Sequence, residues 1–435
     1  MKRLVLSTGA WLAFAGCAPS DSADFEGAVT LAAVERHPPV DTCVGTAPYD
    51  AWVADPKLCV YVFATGLGRP RQMAFAPNGD LFVNNRSVTV LWDDDKNGTS
   101  DATETGTFAT AEKINHGLAF SPDGRFLYAS SQTTVYRWAY TWGARTASGP
   151  PEVVVKNLPG GSLFHVTRTL VFDPRGRLYV NVGAMANVDE TEDLWKTRAQ
   201  VRRFSLPSSI PDGGIDYAEG EVMGSGLRNE VALFVDRRGR LWGAENGREG
   251  LTDPDFGDIH DDNPGEEINL IEDRGGPSFY GYPFCWTEFH LAGGAGAGSQ
   301  WADQTLPEAI RKTDAWCRDA RIVRRPVFVM QAHWAPLGLF QYTGHALPFF
   351  DDFLVGSHGS IDRTPATGKL IARAKYRYGK IVSVEPIVGE KGPDGNLAQG
   401  VPGAPRPVDI RQAPDGAVYY SDDFGGRIFK IGYRR

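Results

Sequence analysis

The chain has 435 residues, of which 42% are hydrophobic and 23% charged, so it can build a core and lacks the composition of a disordered protein. Its formal net charge is −8 at pH 7, which argues against nucleic acid as a partner because phosphate binding requires a basic surface. The 50 glycines and 29 prolines favour a fold made of strands and turns.

The first 16 residues have the pattern of an export signal. Lys2 and Arg3 form a positive region, and the apolar run over 4–15 is too short for a membrane-spanning helix. The small residues that follow precede Cys17, which resembles a bacterial lipoprotein signal in which the cysteine carries lipid. An ordinary secretory signal is the alternative.

Either interpretation exports the protein. The lipoprotein interpretation anchors it by lipid in the bacterial cell envelope, expected at the outer membrane facing the periplasm. Residues 17–40 are then a tether, and residues 41–435 are the folded domain.

Four cysteines remain after Cys17, and an even number in an exported protein indicates two disulfides. Three pairings are possible. Short loops cost the least entropy to close, which favours Cys43–Cys59 and Cys285–Cys317. A zinc site is the rival, but no CxxC or HxxxH spacing supports it.

One short sequence motif recurs along the chain: a turn that ends in glycine, followed by a strand of alternating apolar residues. Five copies and a degenerate sixth occur at intervals of tens of residues, and such a period is typical of propellers and solenoids. We predict an all-β fold, a six-bladed β-propeller, with an unrelated β-sandwich as the alternative. A single short helix is expected near 306–312. The turns are Pro77-Asn78-Gly79, Pro122-Asp123-Gly124, Pro174-Arg175-Gly176, Arg237-Arg238-Gly239, Pro414-Asp415-Gly416 and the stretch 347–356.

Residues 93–104 fit a twelve-residue calcium loop. Glycine stands at position 6, where the chain turns sharply, and oxygen donors stand at the positions that calcium uses. A solvated acidic turn is the alternative. Because no nucleophile or base is near, the predicted site is structural. Its ligands are Asp93, Asp95, Asn97, Thr99, Asp101 and Glu104.

A second constellation is spread over successive repeats. His165 precedes the third-blade strand, and Arg228 and Asn229 precede that of the fourth blade. Corresponding loops of a propeller lie on one face, so we expect these side chains to meet near the central axis. A histidine that accepts a proton beside an arginine that stabilises an oxyanion is an acid–base pairing.

Several motifs together resemble the PQQ-dependent soluble sugar dehydrogenases, the glucose/sorbosone dehydrogenase family, over most of the chain from about Val60. They are His165-Val-Thr-Arg168 with Gly176 to Gly183, Gly226-Leu-Arg228-Asn229, Glu267-Ile-Asn269, Tyr280 to Cys285, Ala335-Pro336-Leu-Gly338, His358 to Arg363, and Arg406-Pro-Val-Asp409.

The resemblance implies a role for each matching residue. His165 is the implied general base, and Arg228 stabilises charge on the quinone oxygen of PQQ. The backbone carbonyls of Gly247 and Arg248 are implied ligands of a cofactor Ca²⁺, which acts as a Lewis acid. The implied cofactor contacts are Asn229, Gln72, Arg363, Arg406 and His358.

Three positions depart from the glucose dehydrogenases. Phe164 replaces an aspartate, His358 replaces the lysine that pairs with PQQ, and Arg248 replaces a proline. These departures leave the sugar unassigned. The expected partners are a sugar substrate, an external electron acceptor such as a quinone, cytochrome or dye, and the membrane through the lipid anchor.

Two other functions stay open on the sequence. A calcium-dependent lactonase-type hydrolase would require a Glu/Asn/Asp cluster around an axial metal, whereas this chain offers histidine and several arginines. A non-catalytic carbohydrate-binding lipoprotein would tolerate the loss of His165.

Overall fold

The structure is a computed structural model that describes residues 41–191, 197–271 and 277–435. The predicted signal peptide (1–16), the predicted lipidation site Cys17 and the predicted tether (17–40) lie outside the described residues. Within the described ranges, no helix is long and apolar enough to cross a membrane.

The repeated sequence unit folds into six antiparallel sheets, each with a core of four strands, arranged as the blades of a β-propeller. The prediction of an all-β, six-bladed propeller is confirmed. In each blade the recurrent turn joins the first strand to the second. The turn glycines have left-handed backbones, with φ of 96° at Gly79 and 80° at Gly176, which explains why the sequence repeats glycine there.

The first three blades follow one another along the chain. Blade 1 contains Met73–Phe75, Leu81–Asn84, Val88–Leu91 and Thr105–Ala109. Blade 2 contains Leu118–Phe120, Phe126–Ser130, Val135–Ala139 and Glu152–Lys156, with Ile215–Asp216 added in parallel at its edge. Blade 3 contains Leu170–Phe172, Arg177–Val182, Gln200–Ser205 and Glu221–Ser225, with Ser278–Phe279 at its edge, and the 3-10 helix Tyr217–Glu219 precedes its last core strand.

The last three blades carry the longer insertions. Blade 4 contains Ala232–Val235, Leu241–Glu245, Glu266–Ile271 and Phe328–Met330, with the small hairpins Thr252–Asp253/Gly257–Asp258 and Cys285–Thr287/Gln300–Ala302. Blade 5 contains Pro336–Gln341, Phe353–Ser357, Leu370–Arg377 and Lys380–Lys391, flanked by Ala51–Val53 and Leu397–Ala398. Blade 6 contains Pro407–Gln412, Val418–Asp422, Arg427–Tyr433 and Leu58–Ala64.

The ring closes by joining the two ends of the folded domain. Leu58–Ala64, from the beginning of the domain, pairs antiparallel with Arg427–Tyr433, its last strand. The first strands of the six blades contact one another in sequence around the axis. Residues just before these strands are therefore brought to one end of the central channel.

The core lies between adjacent blades. Phe82 of blade 1 and Leu127 of blade 2 belong to one buried cluster, and Tyr179 of blade 3 and Leu241 of blade 4 belong to another. Both faces of a sheet are thus covered, and every residue of Leu241–Glu245 is buried. Each fully buried large apolar side chain contributes about 1.5–3 kcal/mol relative to an exposed one.

The helix predicted at 306–312 is wrong. Those residues form a single turn, closed by the N–H groups of Ile310 and Arg311 on the carbonyl of Pro307. The short α-helix Asp314–Cys317 follows instead, and the Thr313 side chain accepts a hydrogen bond from the Trp316 N–H at its start.

Both predicted disulfides are confirmed. Cys43–Cys59 closes a separation of 16 residues and holds the start of the domain against blade 6. Cys285–Cys317 closes 32 residues and joins the blade 4 insertion to the short helix.

Removal of the longer bridge should lower stability. We expect the Cys285→Ser/Cys317→Ser variant to lose about 3–4 kcal/mol of unfolding free energy, because the bridge restricts the unfolded chain across a large loop. Urea denaturation followed by circular dichroism measures the change. The Cys43→Ser/Cys59→Ser variant, whose loop is half as long, is the matched comparison and should lose less. An unchanged denaturation midpoint in the first variant would contradict the expectation.

Candidate active site

A cavity of about 790 Å³ lies at the end of the channel where the first strands begin. Its polar lining comes from two kinds of position. One is the segment just before the first strand of a blade, and the other is the segment just after the second strand, which runs antiparallel and so ends at the same face. The first kind supplies Arg71, His165, Arg228, Asn229, His333 and Arg406, and the second supplies Asn187, Asn246 and His358.

His165 is held in a defined orientation. Its Nδ1 lies 2.8 Å from the carbonyl oxygen of Ala184, so Nδ1 carries the proton and donates it, and the lone pair is on Nε2. The guanidinium of Arg168 donates to the carbonyl of His165 at 3.0 Å and fixes the loop. Gly183 permits the close approach, since a Cβ there would lie 2.8 Å from the His165 Cβ.

The His165 ring is neutral at ordinary pH. Burial, reinforced by the positive charge of Arg228, lowers its pKa to about 4. In the described part of the chain, Nε2 has no hydrogen-bond partner, and the residue lines the cavity. His165 can therefore accept a proton from a bound molecule.

Arg228 is a rigid cation. Its guanidinium donates to the carbonyls of Asn187, Asn246 and Gly247 at 2.9, 3.0 and 2.7 Å, and to the Asn187 side chain at 3.0 Å. A guanidinium has five N–H groups, so one remains for a ligand.

The carboxyl group behind Arg228 does not neutralise it. Glu245 accepts a hydrogen bond from the Arg228 backbone N–H, but burial and the neighbouring acids Glu267 and Glu230 raise the pKa of its carboxyl well above the ordinary value. The positive charge of Arg228 is thus available to the cavity.

Asn229 presents an unsatisfied oxygen. Its Oδ1 is buried and has no hydrogen-bond partner among the described residues. An unpaired buried carbonyl is costly in free energy.

Arg71, His358 and Asp423 form a second polar group. Asp423 accepts from Arg71 at 2.7 Å and from His358 Nε2 at 2.8 Å. Although burial opposes it, these two partners lower the pKa of Asp423. Burial lowers the pKa of His358, so its ring is neutral.

Arg406 is the third arginine that lines the cavity. Its guanidinium donates to the carbonyls of His358 and Gly359. Across residues 41–191, 197–271 and 277–435, neither Arg406 nor Arg228 forms a side-chain ion pair with a carboxylate. Three guanidiniums thus line the cavity, and those of Arg228 and Arg406 have no carboxylate partner among the described residues, where Glu249 is the one lining carboxylate. The site therefore favours an anion that carries carboxylate groups.

Glu249 and His333 form a third polar group of the lining. The Nδ1 of His333 is 3.1 Å from a Glu249 oxygen. Burial alone would lower the pKa of His333, but hydrogen bonds to Glu249 and to the His260 carbonyl raise it to about 9. Ligand atoms of Glu249, His333 and Asp362 lie within 4.8 Å of one another.

Several predicted site residues lie elsewhere. Gln72 is buried and links blades, donating to the Leu170 carbonyl and accepting from the N–H groups of Leu118 and Leu170. Arg363 donates to Asp262 and to the Asp261 carbonyl, and does not line the cavity.

The backbone carbonyls of Gly247 and Arg248 stay the predicted calcium ligands of the cofactor. The Gly247 carbonyl accepts from Arg228, a cationic donor that disfavours a metal ion on the same oxygen. The side chain of Arg248 pairs with Asp303.

The predicted calcium loop lies in blade 1, away from the cavity. It brings Asp93, Asp95 and Glu104 together. Asn97 accepts from the Thr99 N–H, and Asp101 accepts from Thr103 and is exposed, so Asp101 does not join the group of carboxylates. Asn97 and the Thr99 carbonyl stay predicted ligands.

Sequence reasoning missed Arg71, Asn187, Asn246, Glu249 and His333 as lining residues. Arg71 precedes the first strand of blade 1 as His165 precedes that of blade 3. Its position in the repeat could therefore have predicted that Arg71 lines the cavity. Large apolar side chains form the rim of the cavity and are mostly exposed: Leu163, Phe164 and Ile361 at 85%, 80% and 78%.

Comparison with known proteins identifies relatives of this chain. The model of the TrAA12-like family matches residues 53–434. The pyrroloquinoline quinone-dependent sugar dehydrogenase of Hypocrea jecorina is 31% identical over 392 residues, which is 85% of this chain and 86% of the relative.

A second relative is the pyrroloquinoline quinone-dependent pyranose dehydrogenase of Coprinopsis cinerea, 28% identical over 399 residues. The match covers 84% of this chain but 52% of that protein, so the chain spans about half of its length. The solved structure of the Trichoderma reesei Carbohydrate-Active Enzymes family AA12 protein superposes with a TM-score of 0.78 at 30% identity, covering 89% of this chain and 99% of that one.

Proposed function

This chain belongs to the TrAA12-like family, and from that premise we propose that it is a quinoprotein oxidoreductase that oxidises a sugar with PQQ held in the cavity. The names of two relatives, both PQQ-dependent dehydrogenases acting on sugars, support the cofactor and the substrate class. The single observation that carries the proposal is the neutral His165 beside three guanidiniums in one cavity.

The residues fit an anionic cofactor. PQQ carries carboxylates, and Arg71 and Arg406 would pair with them, since a guanidinium fork matches a carboxylate. Asn229, the implied cofactor contact, also lines the cavity. When bound, PQQ supplies a quinone that accepts two electrons.

The protein's own part of the chemistry is proton transfer and charge stabilisation. Nε2 of His165 would take the proton of the sugar hydroxyl, while the hydrogen on the carbon that bears this hydroxyl leaves as hydride, for which bound PQQ would supply the acceptor. The remaining N–H of Arg228 would donate to the quinone oxygen of PQQ, on which negative charge develops. The hydrogen bond from His165 Nδ1 to Ala184 keeps the imidazole in the orientation and tautomer that this transfer requires.

The Gly247 carbonyl is a weakened calcium ligand, because it already accepts a hydrogen bond from the cationic Arg228. The carboxylates of Glu249 and Asp362 are the better oxygen donors beside the cavity, and they would hold a cation there after His333 loses its Nδ1 proton. The apolar rim of Leu163, Phe164 and Ile361 would contact the non-reacting part of the sugar.

The alternatives are less well supported. A lactonase-type hydrolase needs a cluster of anionic ligands around an axial metal, whereas three cations face this cavity. A non-catalytic binding protein gives no reason for a buried, neutral and oriented His165.

The two disulfides support export, because disulfides form in oxidising compartments. We further propose the lipid anchor at Cys17, a place in the bacterial envelope facing the periplasm, and an external electron acceptor.

The test is a titration of the purified protein with PQQ. We expect saturable binding at micromolar PQQ, followed by dye reduction with aldoses or pyranoses. Titrations with calcium and with chelator decide whether the cation is required. The Arg406→Ala variant should bind PQQ more weakly by about tenfold or more, since a charge-assisted hydrogen bond contributes about 1.5–3 kcal/mol. Absence of binding by the wild-type protein would overturn the proposal and favour the binding-protein alternative.

A further inference from the structure

The loop over residues 93–104 joins the third and fourth strands of blade 1, Val88–Leu91 and Thr105–Ala109. Ligand atoms of Asp93, Asp95 and Glu104 in this loop lie within 4.8 Å of one another. Like charges at this separation repel, so the group is unfavourable without a positive charge between them.

No cation of the protein supplies that charge. Within the described part of the chain, the three carboxylates form no ion pair with lysine or arginine, and the nearby Arg145 pairs with Asp80 and Asp94 instead.

Two oxygens of the group point to a missing ligand. Oε2 of Glu104 and Oδ1 of Asp93 are buried and have no hydrogen-bond partner among the described residues. Glu104 is 7% exposed, and its other oxygen is fixed because it accepts from the N–H groups of Asp94 and Asp95. Orphaned buried oxygens are rare in proteins, and hard oxygens grouped in this way are the ligands that Ca²⁺ prefers.

The backbone holds the carboxylates in place. Gly98 has a φ of 82° and donates its N–H to Oδ2 of Asp93 at 3.0 Å, which leaves Oδ1 free. The N–H of Asn97 donates to Asp95.

The loop also lies at the closure of the ring. The Ser100 N–H donates to the carbonyl of Phe63, in the outer strand of blade 6, at 2.7 Å. A Cβ on Gly98 would lie 2.7 Å from the Gly45 Cα, so the loop is in close contact with the segment that Cys43–Cys59 fastens.

We propose that Asp93, Asp95 and Glu104 bind one Ca²⁺ that holds blade 1 against the chain segment closing blade 6. This structural site is separate from the cavity and does not depend on the proposed oxidation of sugars. Bound calcium would stabilise the folded ring because an unfolded chain does not assemble the three carboxylates.

Terbium luminescence tests the site directly. Trp92 precedes Asp93, so excitation of tryptophan should sensitise Tb³⁺ bound in the loop. For the full chain treated with chelator we expect a saturable signal that Ca²⁺ displaces. Calcium at 100 times its dissociation constant should raise Tm by about 3 °C.

The variant Glu104→Gln keeps the size of the side chain and removes the charge. We expect it to lose the terbium signal and the calcium-dependent rise in Tm. Glu112→Gln, an exposed position in the same blade, is the matched control and should retain both. Asp95→Asn, at an exposed ligand, provides a second test if Glu104→Gln does not fold. Equal terbium binding and equal Tm shifts in the wild type and in a folded ligand variant would overturn the proposal.

Discussion

The His165→Ala variant should lose about 10²–10⁴-fold in turnover while it retains PQQ, because a positioned general base contributes that much to the rate. The imidazole is neutral, its Nδ1 proton is engaged by Ala184, and Nε2 faces the cavity. Its removal takes away the proton acceptor but none of the guanidiniums that would hold the cofactor. Steady-state kinetics and a PQQ titration measure the two effects separately.

His345→Ala is the matched control for this variant. His345 stacks on Phe350, in the connection between the first and second strands of blade 5, and does not line the cavity. It should leave turnover unchanged. If His165→Ala retained near-wild-type turnover, another group would have to be the base.

The pH dependence gives a further readout of the same residue. Because burial and Arg228 lower the pKa of His165 to about 4, the base is unprotonated above that pH and becomes protonated below it. The kcat/KM of the wild-type enzyme should therefore stay level from neutral pH down to about pH 5, and fall as pH drops through about 4. A fall that already begins near pH 6.5 would show that His165 titrates as an ordinary histidine.

The Arg228→Ala variant should lose both rate and cofactor affinity. Loss of one donor to a developing negative charge lowers kcat by about 10²–10³-fold. Loss of a charged hydrogen bond weakens PQQ binding by about tenfold to a hundredfold, which corresponds to about 1.5–3 kcal/mol. Dye-linked assays and the absorbance titration measure these changes.

The same variant should also move the pH profile. Arg228 lowers the pKa of His165, so its removal should shift the acid limb of kcat/KM to higher pH. Arg321→Ala, at a side chain that is 89% exposed, is the control and should change neither the rate nor the profile.

Much of the fold could be predicted because the strands and turns of the propeller depend on short, local sequence patterns. The turn glycines are required by the left-handed backbone at positions such as Gly79 and Gly176. The repeat also predicted which loops share a face, and the structure brings His165, Arg228, Asn229, His358 and Arg406 to one cavity. The disulfide pairs followed from loop length, another local quantity.

Three of the predicted site residues are engaged by partners elsewhere in the chain, which local patterns do not show. Arg363 donates a hydrogen bond to Asp262, about 100 residues earlier. The Gly247 carbonyl accepts one from Arg228, which lies in the preceding strand connection. Gln72 faces blade 3 rather than the cavity, while its neighbour Arg71 lines it. A resemblance to a family matches positions in the sequence, but it does not show which acceptor each arginine side chain hydrogen-bonds to.

The sequence by itself therefore determined the strand and turn pattern, the number of blades and the face on which the site lies, because each depends on the preferences of adjacent residues. Only the tertiary structure decided the tautomer and low pKa of His165, the immobilised Arg228 and the orphaned oxygens of Asn229, Asp93 and Glu104. These properties arise from burial and from contacts between blades, which bring together groups that lie tens to hundreds of residues apart in the chain.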